Sequence, residues 1–301
     1  MKKVILTGAS GFIGRQAVSR LVNNNYEVHC VTSRKAEGAG GNVTWHRADL
    51  LNERECMDLF KNVMPTHLLH FAWYTEPLKY LSSEENWDWL KASLKMLHYF
   101  TRYGGERATF AGTCAEYDWK CGFCSEDTTP IKPNTIYGKC KDLLNREAGS
   151  YCSKNDISFA WGRIFFIYGP GEHPSRLVPS VIRHLLNNEE APCTDGNQKR
   201  DYLYSGDAAS AFVCLMDGKV GGAVNIASGT AVTVREIVEK IAIKTGSHNS
   251  VEFGAIPRHP VDPPLIVADT RRLNEEVGWK PVFSLDEGLD MTIKSLRKDL
   301  S

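Results

Sequence analysis

The chain has 301 residues, of which 42% are hydrophobic, and this is enough for one large domain or one domain with a smaller lobe. Its 36 basic and 36 acidic residues give a formal net charge of zero, so charge does not predict binding to nucleic acid or to an acidic membrane surface. No apolar run approaches the roughly 20 residues that cross a bilayer, and the sequence opens on a predicted strand rather than a signal peptide.

The first fourteen residues, MKKVILTGASGFIG, have the pattern of a strand, a glycine-rich turn and a helix. In this context the first glycine allows a tight turn, and the second lets a pyrophosphate approach the backbone. The third glycine brings the helix close to the strand. The pattern predicts a dinucleotide-binding site at the helix N-terminus. Its candidate residues are Gly8, Ser10, Gly11, Phe12, Ile13 and Gly14.

A second strand is predicted at residues 27–31, and the residues after it indicate which dinucleotide binds. An acidic side chain here would bind the 2′-hydroxyl of NAD, whereas hydroxyl and basic side chains suit the 2′-phosphate of NADP. This chain has no acid at the strand end but carries Ser33, Arg34 and Lys35. We therefore predict a preference for NADP(H), with NAD(H) as the alternative.

Two further strands are predicted at residues 43–45 and 68–72, and both end near the expected cofactor. The carboxylate that follows the first of them is placed to reach the adenine edge. The end of the second would lie near the pyrophosphate and ribose. These strand ends supply four more cofactor candidates: Asp49, Leu50, Phe71 and Ala72.

Aromatic residues follow the fourth strand and recur in the next helix. Trp73 and Tyr74 are placed to line the substrate pocket. A long helix is predicted at residues 86–103, and its apolar and aromatic positions exceed one core-facing stripe. The extra apolar side predicts packing on another subunit.

A fifth strand at residues 108–111 leads to Thr113, and a Tyr-x-x-x-Lys pair follows 24 residues later. Tyr137 and Lys141 are four residues apart at the start of a predicted helix, so they share one face. A nearby ammonium lowers a tyrosine pKa from its reference value of about 10. Tyr137 is therefore a candidate general acid/base, with Thr113 hydrogen-bonded to the reacting oxygen. The Tyr-x-x-x-Lys spacing alone often arises by chance, but together with the glycine turn and Thr113 it indicates an active site.

The chain contains nine cysteines and no secretion signal, which predicts reduced thiols and a cytoplasmic location. Cys121 and Cys124 form a lone CxxC without a second pair at zinc-site spacing. We therefore predict no metal site.

Together these motifs resemble the extended short-chain dehydrogenase/reductase family, in its NAD(P)-dependent sugar-nucleotide epimerase/dehydratase branch. The resemblance covers nearly the whole chain and continues in residues 163–171, 196–202, 225–229 and 278–281. We predict an α/β fold: a doubly wound parallel sheet (Rossmann) of about seven strands with a smaller mixed C-terminal substrate lobe. The cofactor domain is assigned to residues 1–165, with segments near 202–227 returning to its sheet. The lobe is assigned mainly to residues 166–301. Members of this family commonly pair through the helices equivalent to residues 86–103 and 137–151, so the resemblance also implies a homodimer.

The resemblance implies a role for each catalytic candidate. Tyr137 would exchange a proton with the sugar oxygen, Lys141 would lower the tyrosine pKa and bind the nicotinamide ribose, and Thr113 would orient the substrate. The lobe of this branch holds the nucleoside diphosphate, for which three arginines are candidates. The predicted substrate contacts are Trp73, Thr113, Cys114, Phe166, Arg176, Arg200 and Arg258.

Departures from the family pattern reduce the number of reactions that this chain is expected to catalyse. The 4,6-dehydratases of this branch follow the catalytic threonine with an Asp-Glu pair, and this chain has Cys114 and Ala115 there. Many 4-epimerases carry an asparagine where this chain has Phe166, and an epimerase keeps NAD tightly bound. We therefore predict NADPH-dependent reduction of the 4-keto group of a nucleotide-linked 4-keto-6-deoxy sugar. Residues 251–283 resemble such 4-ketoreductases.

Two alternatives to the ketoreductase stay open. One is an NAD-dependent sugar-nucleotide epimerase. The other is a non-catalytic NADP-binding regulatory protein, although a binding module needs none of the three catalytic candidates.

Overall fold

The computed structural model describes residues 2–34, 40–247, 251–259 and 262–300. The strands are β1 (Lys3–Thr7), β2 (Glu27–Thr32), β3 (Val43–Arg47), β4 (His67–His70), β5 (Arg107–Thr113), β6 (Phe123–Cys124), β7 (Ser158–Ile164), β8 (Phe166–Tyr168), β9 (Ala191–Cys193), β10 (Lys199–Tyr204), β11 (Gly222–Ile226), β12 (Ala231–Thr233), β13 (Val251–Phe253) and β14 (Leu265–Ala268). The helices are α1 (Gly14–Asn23), α2 (Glu53–Val63), α3 (Glu85–Arg102), α4 (Ile136–Lys154), α5 (Leu177–Leu186), α6 (Ser205–Asp217), α7 (Val234–Thr245) and α8 (Leu285–Leu300). A 3₁₀ turn at Cys114–Glu116 follows β5 directly.

Within the described residues, seven parallel strands form the main sheet in the order β3-β2-β1-β4-β5-β7-β11. The chain moves outward from β1 to β3 and then crosses back to β4, so the strand order reverses between β1 and β4. In doubly wound sheets a ligand binds at this reversal, outside the carboxyl ends of the strands. The predicted fold class is confirmed.

Helices cover both faces of the main sheet because each side of its strands is apolar. On one face α1 and α6 pack together through residues that include Leu21 and Phe212. On the other face α2, α3 and α4 contribute residues that include Phe60, Phe100 and Leu144. The two cores leave the carboxyl ends of the strands as the place where a cleft can form.

A second, mixed sheet contains β6, β8, β10, β12 and β14, as expected for the smaller lobe. Strand β10 pairs antiparallel with β12 and parallel with β8 and β14. Helices α5, α7 and α8 share a separate apolar core that includes Ile182, Ile237 and Leu289. The domain boundary at residues 165–166 stays a prediction.

One element of the predicted topology is wrong. Residues 202–203 do not return to the main sheet but pair with β8, with Tyr202 opposite Phe166. The chain bends after β7 and starts β8 two residues later, which creates a strand edge outside the main sheet that β10 can use. Later parts of the predicted returning segment, residues 202–227, do reach the main sheet. Helix α6 packs against it, and β11 joins it beside β7.

Two other predictions concern the surface of the chain. Helix α3 leaves Trp87 37% exposed, and the homodimer inferred from this helix stays a prediction. In the part of the chain that the structure describes, no helix has both the length and the apolar character needed to cross a bilayer.

Candidate active site

The glycine turn lies where the strand order reverses. Gly8 has a φ of +65°, and a Cβ there would lie 2.8 Å from the backbone nitrogen of Ala72, so this position requires glycine. A Cβ on Gly14 would lie 2.1 Å from the carbonyl oxygen of Gly8. This close approach lets α1 begin directly against the turn, and α1 has no side-chain cap among the described residues. The arrangement fits the pyrophosphate of a dinucleotide.

We expect Gly14→Ala to abolish cofactor binding, because the new methyl group would overlap the Gly8 carbonyl at 2.1 Å. Overpacking of this kind costs about 1–3 kcal/mol and displaces the backbone. The measurement is a fluorescence titration with NADPH and NADH, together with the melting temperature. Gly149→Ala on α4 is the control, because its Cβ would meet nothing closer than 3.8 Å. Wild-type affinity in Gly14→Ala would show that the turn does not bind the cofactor.

The end of β2 carries the residues predicted to select the cofactor. Ser33 and Arg34 are exposed there, and the backbone N–H of Arg34 donates to Thr32 Oγ1 at 3.1 Å. The same Thr32 hydroxyl lies 3.2 Å from Ser10 Oγ, so the glycine turn and the end of β2 are in contact. Lys35 lies outside the described residues.

The other predicted cofactor residues lie at neighbouring strand ends. Asp49 is exposed, and its carboxylate accepts a hydrogen bond from the backbone of Leu51 at 3.0 Å. Phe71 packs edge-on against Phe212 of α6, with ring centroids 4.9 Å apart. Three more are partly or fully buried in the same region: Phe12, Ile13 and Leu50. Their roles in cofactor binding stay predictions.

A buried chain of hydrogen bonds connects β4 to β1, and the sequence analysis missed it. Ser93 Oγ donates to the carbonyl of Trp89 at 2.7 Å and lies 2.9 Å from His70 Nε2, from which it accepts. His70 Nδ1 accepts from Thr7 Oγ1 at 2.7 Å, and that oxygen accepts from the backbone of Ala72 at 3.2 Å. Burial lowers the pKa of His70 to about 3, so the ring is neutral. No local motif marks this chain, because its members come from separate elements.

A glycine at the start of α4 positions the tyrosine. Thr135 caps the helix, its hydroxyl accepting from the backbone of Gly138 at 3.0 Å. A Cβ on Gly138 would lie 2.4 Å from the carbonyl oxygen of Ala115. Glycine therefore lets the first turn of α4 pack directly on the 3₁₀ turn Cys114–Glu116.

This packing brings two of the predicted catalytic residues together. The side chain of Thr113 acts on the phenol of Tyr137 and partly lowers its pKa. Because Thr113 Oγ1 already accepts from the backbone of Ala115 at 3.2 Å, its own proton is free to donate to the tyrosine oxygen. The two hydroxyls therefore form one polar group at the carboxyl end of β5.

Lys141 is buried one turn further along α4. Its Nζ donates to the carbonyl of Ala111 at 2.9 Å and lies 3.7 Å from the centroid of the Trp73 ring. Trp73 Nε1 in turn donates to Asn86 Oδ1 at 2.7 Å, which fixes the ring under the ammonium. Trp73, predicted to contact the substrate, thus packs on the lysine, and its substrate role stays a prediction.

The expected lowering of the Tyr137 pKa is not observed. Burial raises the pKa of Tyr137 far above its ordinary value, and neighbouring Tyr80 raises it further. The Thr113 side chain lowers it only in part, and Lys141 Nζ lies 6.0 Å from the Tyr137 ring centroid. Desolvation therefore outweighs the lysine charge, and the phenol is protonated at neutral pH. A protonated phenol can act as a proton donor.

We expect Lys141→Met to be more stable than the wild type, by an amount that shrinks as the pH rises from 7 to about 10. Burial lowers the pKa of Lys141 to about 7, so between pH 7 and the ordinary lysine value the unfolded chain holds more protons than the folded one. Stability of the wild type therefore rises through that window, whereas the methionine variant lacks this rise. Urea unfolding at pH 6, 8 and 10 measures the difference. The exposed neighbour Lys139→Met is the control, and an equal pH dependence in all three proteins would refute the burial argument.

A buried ion pair anchors the 3₁₀ turn behind Thr113. Glu116 Oε1 accepts from the backbone of Thr113 at 2.8 Å, and Oε2 accepts from Arg163 Nε at 2.7 Å. Trp161 Nε1 donates to the same carboxylate at 2.9 Å, and Arg163 Nη1 donates to the Tyr117 hydroxyl at 3.0 Å. The sequence analysis missed the role of Glu116, although its spacing from Thr113 has the Thr-x-x-Glu signature of a capping box.

Two of the predicted diphosphate arginines share one carboxylate. Arg200 Nη2 donates to Asp262 Oδ1 at 2.5 Å, and Arg258 Nε lies 3.5 Å from Asp262 Oδ2. The Arg200 guanidinium also lies 5.5 Å from the ring centroid of Phe166. The three charged groups leave a net charge of +1, which suits an anion that competes with the aspartate for the guanidinium groups.

The third predicted arginine lies on the tyrosine side of the same region. The guanidinium of Arg176, just before α5, is 5.2 Å from the ring centroid of Tyr80. Tyr80 itself packs edge-on against Tyr137, with centroids 5.0 Å apart. Cys114, also predicted as a substrate contact, is buried, and burial raises the pKa of its thiol.

A glycine turn at the strand reversal of a doubly wound sheet defines a dinucleotide-binding α/β protein. The chain belongs to the NAD dependent epimerase/dehydratase family, whose family model matches residues 4–227. The predicted family is confirmed, and the protein is an enzyme of that family.

Its relatives act on several nucleotide sugars. UDP-glucuronic acid decarboxylase 1 of Xenopus tropicalis is 27% identical, over 99% of this chain and 73% of the relative. CDP-abequose synthase of Salmonella typhimurium is 26% identical, over 97% of this chain and 98% of the relative. The crystal structure of UDP-glucose 4-epimerase from Thermotoga maritima with UDP-glucose has a TM-score of 0.88 and 25% identity, and the match covers 99% of this chain and 100% of that one. The relatives therefore share the fold but differ in reaction.

Proposed function

We propose that this enzyme uses NADPH to reduce the 4-keto group of a nucleotide-linked 4-keto-6-deoxy sugar. One observation favours this reaction over dehydration. The proton-donating pair Thr113 and Tyr137 is next to Cys114 and Ala115, which supply no acid or base for eliminating water. Burial keeps the Cys114 thiol protonated, so it cannot replace a carboxylate as the base.

The residues present have the chemistry for ketone reduction. When bound, NADPH supplies the hydride that adds to the carbonyl carbon. The glycine turn would hold its pyrophosphate, and Ser33 and Arg34 would contact the 2′-phosphate. Tyr137 then donates its proton to the carbonyl oxygen, which becomes the hydroxyl of the product, and regains a proton from solvent. Thr113 aligns the oxygen and stabilises the phenolate by donating its own hydrogen bond.

The class of substrate is inferred from the relatives and from the charged groups. The family matches include proteins named for UDP- and CDP-linked sugars, and one solved relative carries UDP-glucose. In this chain Arg200 and Arg258 offer two fixed cations around Asp262, an arrangement that suits a diphosphate. We therefore propose a nucleoside-diphosphate sugar as the substrate.

An NAD-dependent sugar-nucleotide epimerase is the second candidate, because the family is described as NAD dependent and includes UDP-glucose 4-epimerases. An epimerase begins by oxidising a hydroxyl, which requires Tyr137 as a phenolate base. The raised pKa of Tyr137 favours the opposite, proton-donating direction.

Cofactor content and affinity test the proposal. One aliquot of the purified protein is denatured, and the extract is analysed for released NAD or NADP. The remaining, native protein is titrated with NADPH and NADH by fluorescence. We expect no retained NAD and at least about tenfold tighter binding of NADPH, equivalent to about 1.4 kcal/mol. Arg34→Ala should reduce NADPH affinity and leave NADH affinity unchanged. Stoichiometric, tightly held NAD would instead favour the epimerase.

A further inference from the structure

Arg15, at the start of α1, connects the glycine turn to the β8–α5 loop (residues 169–176). Its Nε donates to the carbonyl of Gly11 at 3.2 Å, and its Nη2 donates to the carbonyl of Ser10 at 3.4 Å. Its Nη1 lies beside the loop, since a Cβ on Gly171 would be 2.4 Å from that nitrogen. Within the described residues Nη1 donates to no acceptor, and the side chain is exposed. Two nitrogens therefore fix the guanidinium on the turn, and the third is free to bind a ligand.

The turn that holds Arg15 is the one that fits the cofactor pyrophosphate. Gly11 is its second glycine, the position at which a pyrophosphate approaches the backbone. The positive N-terminal end of α1 begins there, and the first turn of this helix contains no acidic residue. Arg15 also forms no ion pair with any carboxylate that the structure describes. A guanidinium with a free donor and no acidic partner suits a phosphate group.

The contacts of Ser10 indicate which phosphate of the cofactor Arg15 can reach. The Ser10 hydroxyl lies 3.2 Å from Thr32 Oγ1, at the end of β2, where the 2′-phosphate of NADP is predicted to bind. The Ser10 carbonyl instead accepts from Arg15, whose guanidinium continues toward Gly171. The hydroxyl and the carbonyl of Ser10 therefore lead to different sites, and Arg15 belongs with the pyrophosphate.

The β8–α5 loop extends from Arg15 to the acid–base residues. The loop ends at Arg176, whose backbone N–H donates to the carbonyl of His173 at 3.0 Å. The Arg176 guanidinium lies 5.2 Å from the ring centroid of Tyr80, and the centroid of Tyr80 lies 5.0 Å from that of Tyr137. The loop thus touches the cofactor turn at one end and the surroundings of the proposed acid at the other.

We propose that Arg15 binds the cofactor pyrophosphate through Nη1 and at the same time holds the β8–α5 loop in place for the sugar nucleotide. The part that concerns the sugar nucleotide rests on the proposed function. A phosphate oxygen gives the guanidinium its third partner and fixes it against Gly171. The fixed guanidinium in turn restricts the loop that carries Arg176. Cofactor and sugar nucleotide therefore bind with positive cooperativity, because both favour the same arrangement of Arg15.

Fluorescence titration with NADPH and with NADH tests the contact with the cofactor. We expect Arg15→Ala to weaken the binding of both dinucleotides about ten- to a hundredfold, because both carry the same pyrophosphate. Arg34→Ala should weaken NADPH alone, so the two variants give different patterns. Arg54→Ala, exposed on α2, is the matched control. Wild-type affinity of Arg15→Ala for both dinucleotides, or a loss confined to NADPH, would overturn the pyrophosphate contact.

Calorimetry with UDP-, CDP- and dTDP-glucose, with and without saturating NADPH, tests the role of the loop. For the sugar nucleotide that the wild type binds best, we expect NADPH to raise the affinity at least about fivefold. Arg15→Ala should reduce this effect to less than about twofold. Gly171→Ala should do the same, because its methyl group would displace Nη1. Gly246→Ala, just after α7, is the matched control: its φ of +81° is close to the +79° of Gly171, but its Cβ would meet nothing within 4 Å.

The outcomes separate this inference from the proposed function. Melting temperatures confirm that each variant folds. A wild type whose affinity for the sugar nucleotide does not depend on NADPH would overturn the role of the loop, and so would equal cooperativity in the wild type and Arg15→Ala. If the wild type binds NADPH but no sugar nucleotide, the proposed function fails instead. The titrations with NADPH and NADH then still decide whether Arg15 contacts the pyrophosphate.

Discussion

Tyr137→Phe should lower the turnover number by about 10²- to 10⁴-fold, the usual contribution of a general acid. The substitution removes the hydroxyl on which the Thr113 side chain acts and leaves the ring that packs on Tyr80 and Trp73. The packing of α4 on the 3₁₀ turn depends on Gly138 and is unchanged. We therefore expect folding and cofactor affinity to stay close to those of the wild type.

Steady-state kinetics with a 4-keto sugar nucleotide and an NADPH titration measure the two effects separately. Tyr151→Phe, on the same helix, is the control, because its hydroxyl contacts only His98 at 3.2 Å among the described residues. Unchanged turnover in Tyr137→Phe would contradict the assignment of this residue as the acid.

Arg163→Met should destabilise the protein by about 3–5 kcal/mol, because it leaves a buried carboxylate without its partner. The side chains of Arg163 and Glu116 are 5% and 0% exposed, so solvent cannot replace the lost donor. Burial already raises the pKa of Glu116, and the Arg163 charge opposes that rise. Without the arginine the carboxylate must either stay ionised at a high cost or take up a proton.

Urea unfolding of the wild type and the variant gives the loss directly. Arg54→Met is the matched control, because Arg54 is exposed and its ion pair with Asp58 spans 4.0 Å at the surface. Such pairs contribute about 0–1 kcal/mol. Activity should fall as well, since Glu116 also accepts from the backbone of Thr113. Equal stability of the two variants would mean that the buried pair does not anchor the catalytic turn.

Local patterns predicted the main sheet and the place of the cofactor. Positions 8 and 14 require glycine because a Cβ at either would collide with neighbouring backbone atoms. A turn with such close backbone contacts leaves its glycines in the sequence, where they can be recognised. Likewise the four-residue spacing of Tyr137 and Lys141 places them on one helix face whatever the rest of the chain does.

Tertiary contacts explain what the sequence did not predict. The Tyr137 pKa depends on Tyr80 and on burial by a loop more than fifty residues away in the chain, so a charge argument within one helix gave the wrong sign. The pairing of Arg200 with Asp262 joins residues 62 positions apart. Strand β10 was assigned to the wrong sheet because the edge offered by β8 exists only after the chain bends away from β7.

The central claim is net reduction of a ketone, and transfer of deuterium tests it most directly. The protein is incubated with NADPH deuterated at nicotinamide C4, on either face, and with a dTDP- or CDP-4-keto-6-deoxyglucose, and the product is analysed by mass spectrometry and NMR. We predict one deuterium at sugar C4 for each NADPH consumed, from one of the two labelled faces. A parallel incubation replaces the ketone with a 4-hydroxy sugar nucleotide. Formation of its 4-epimer there, without consumption of NADPH and without deuterium, would contradict the reductase and establish the epimerase.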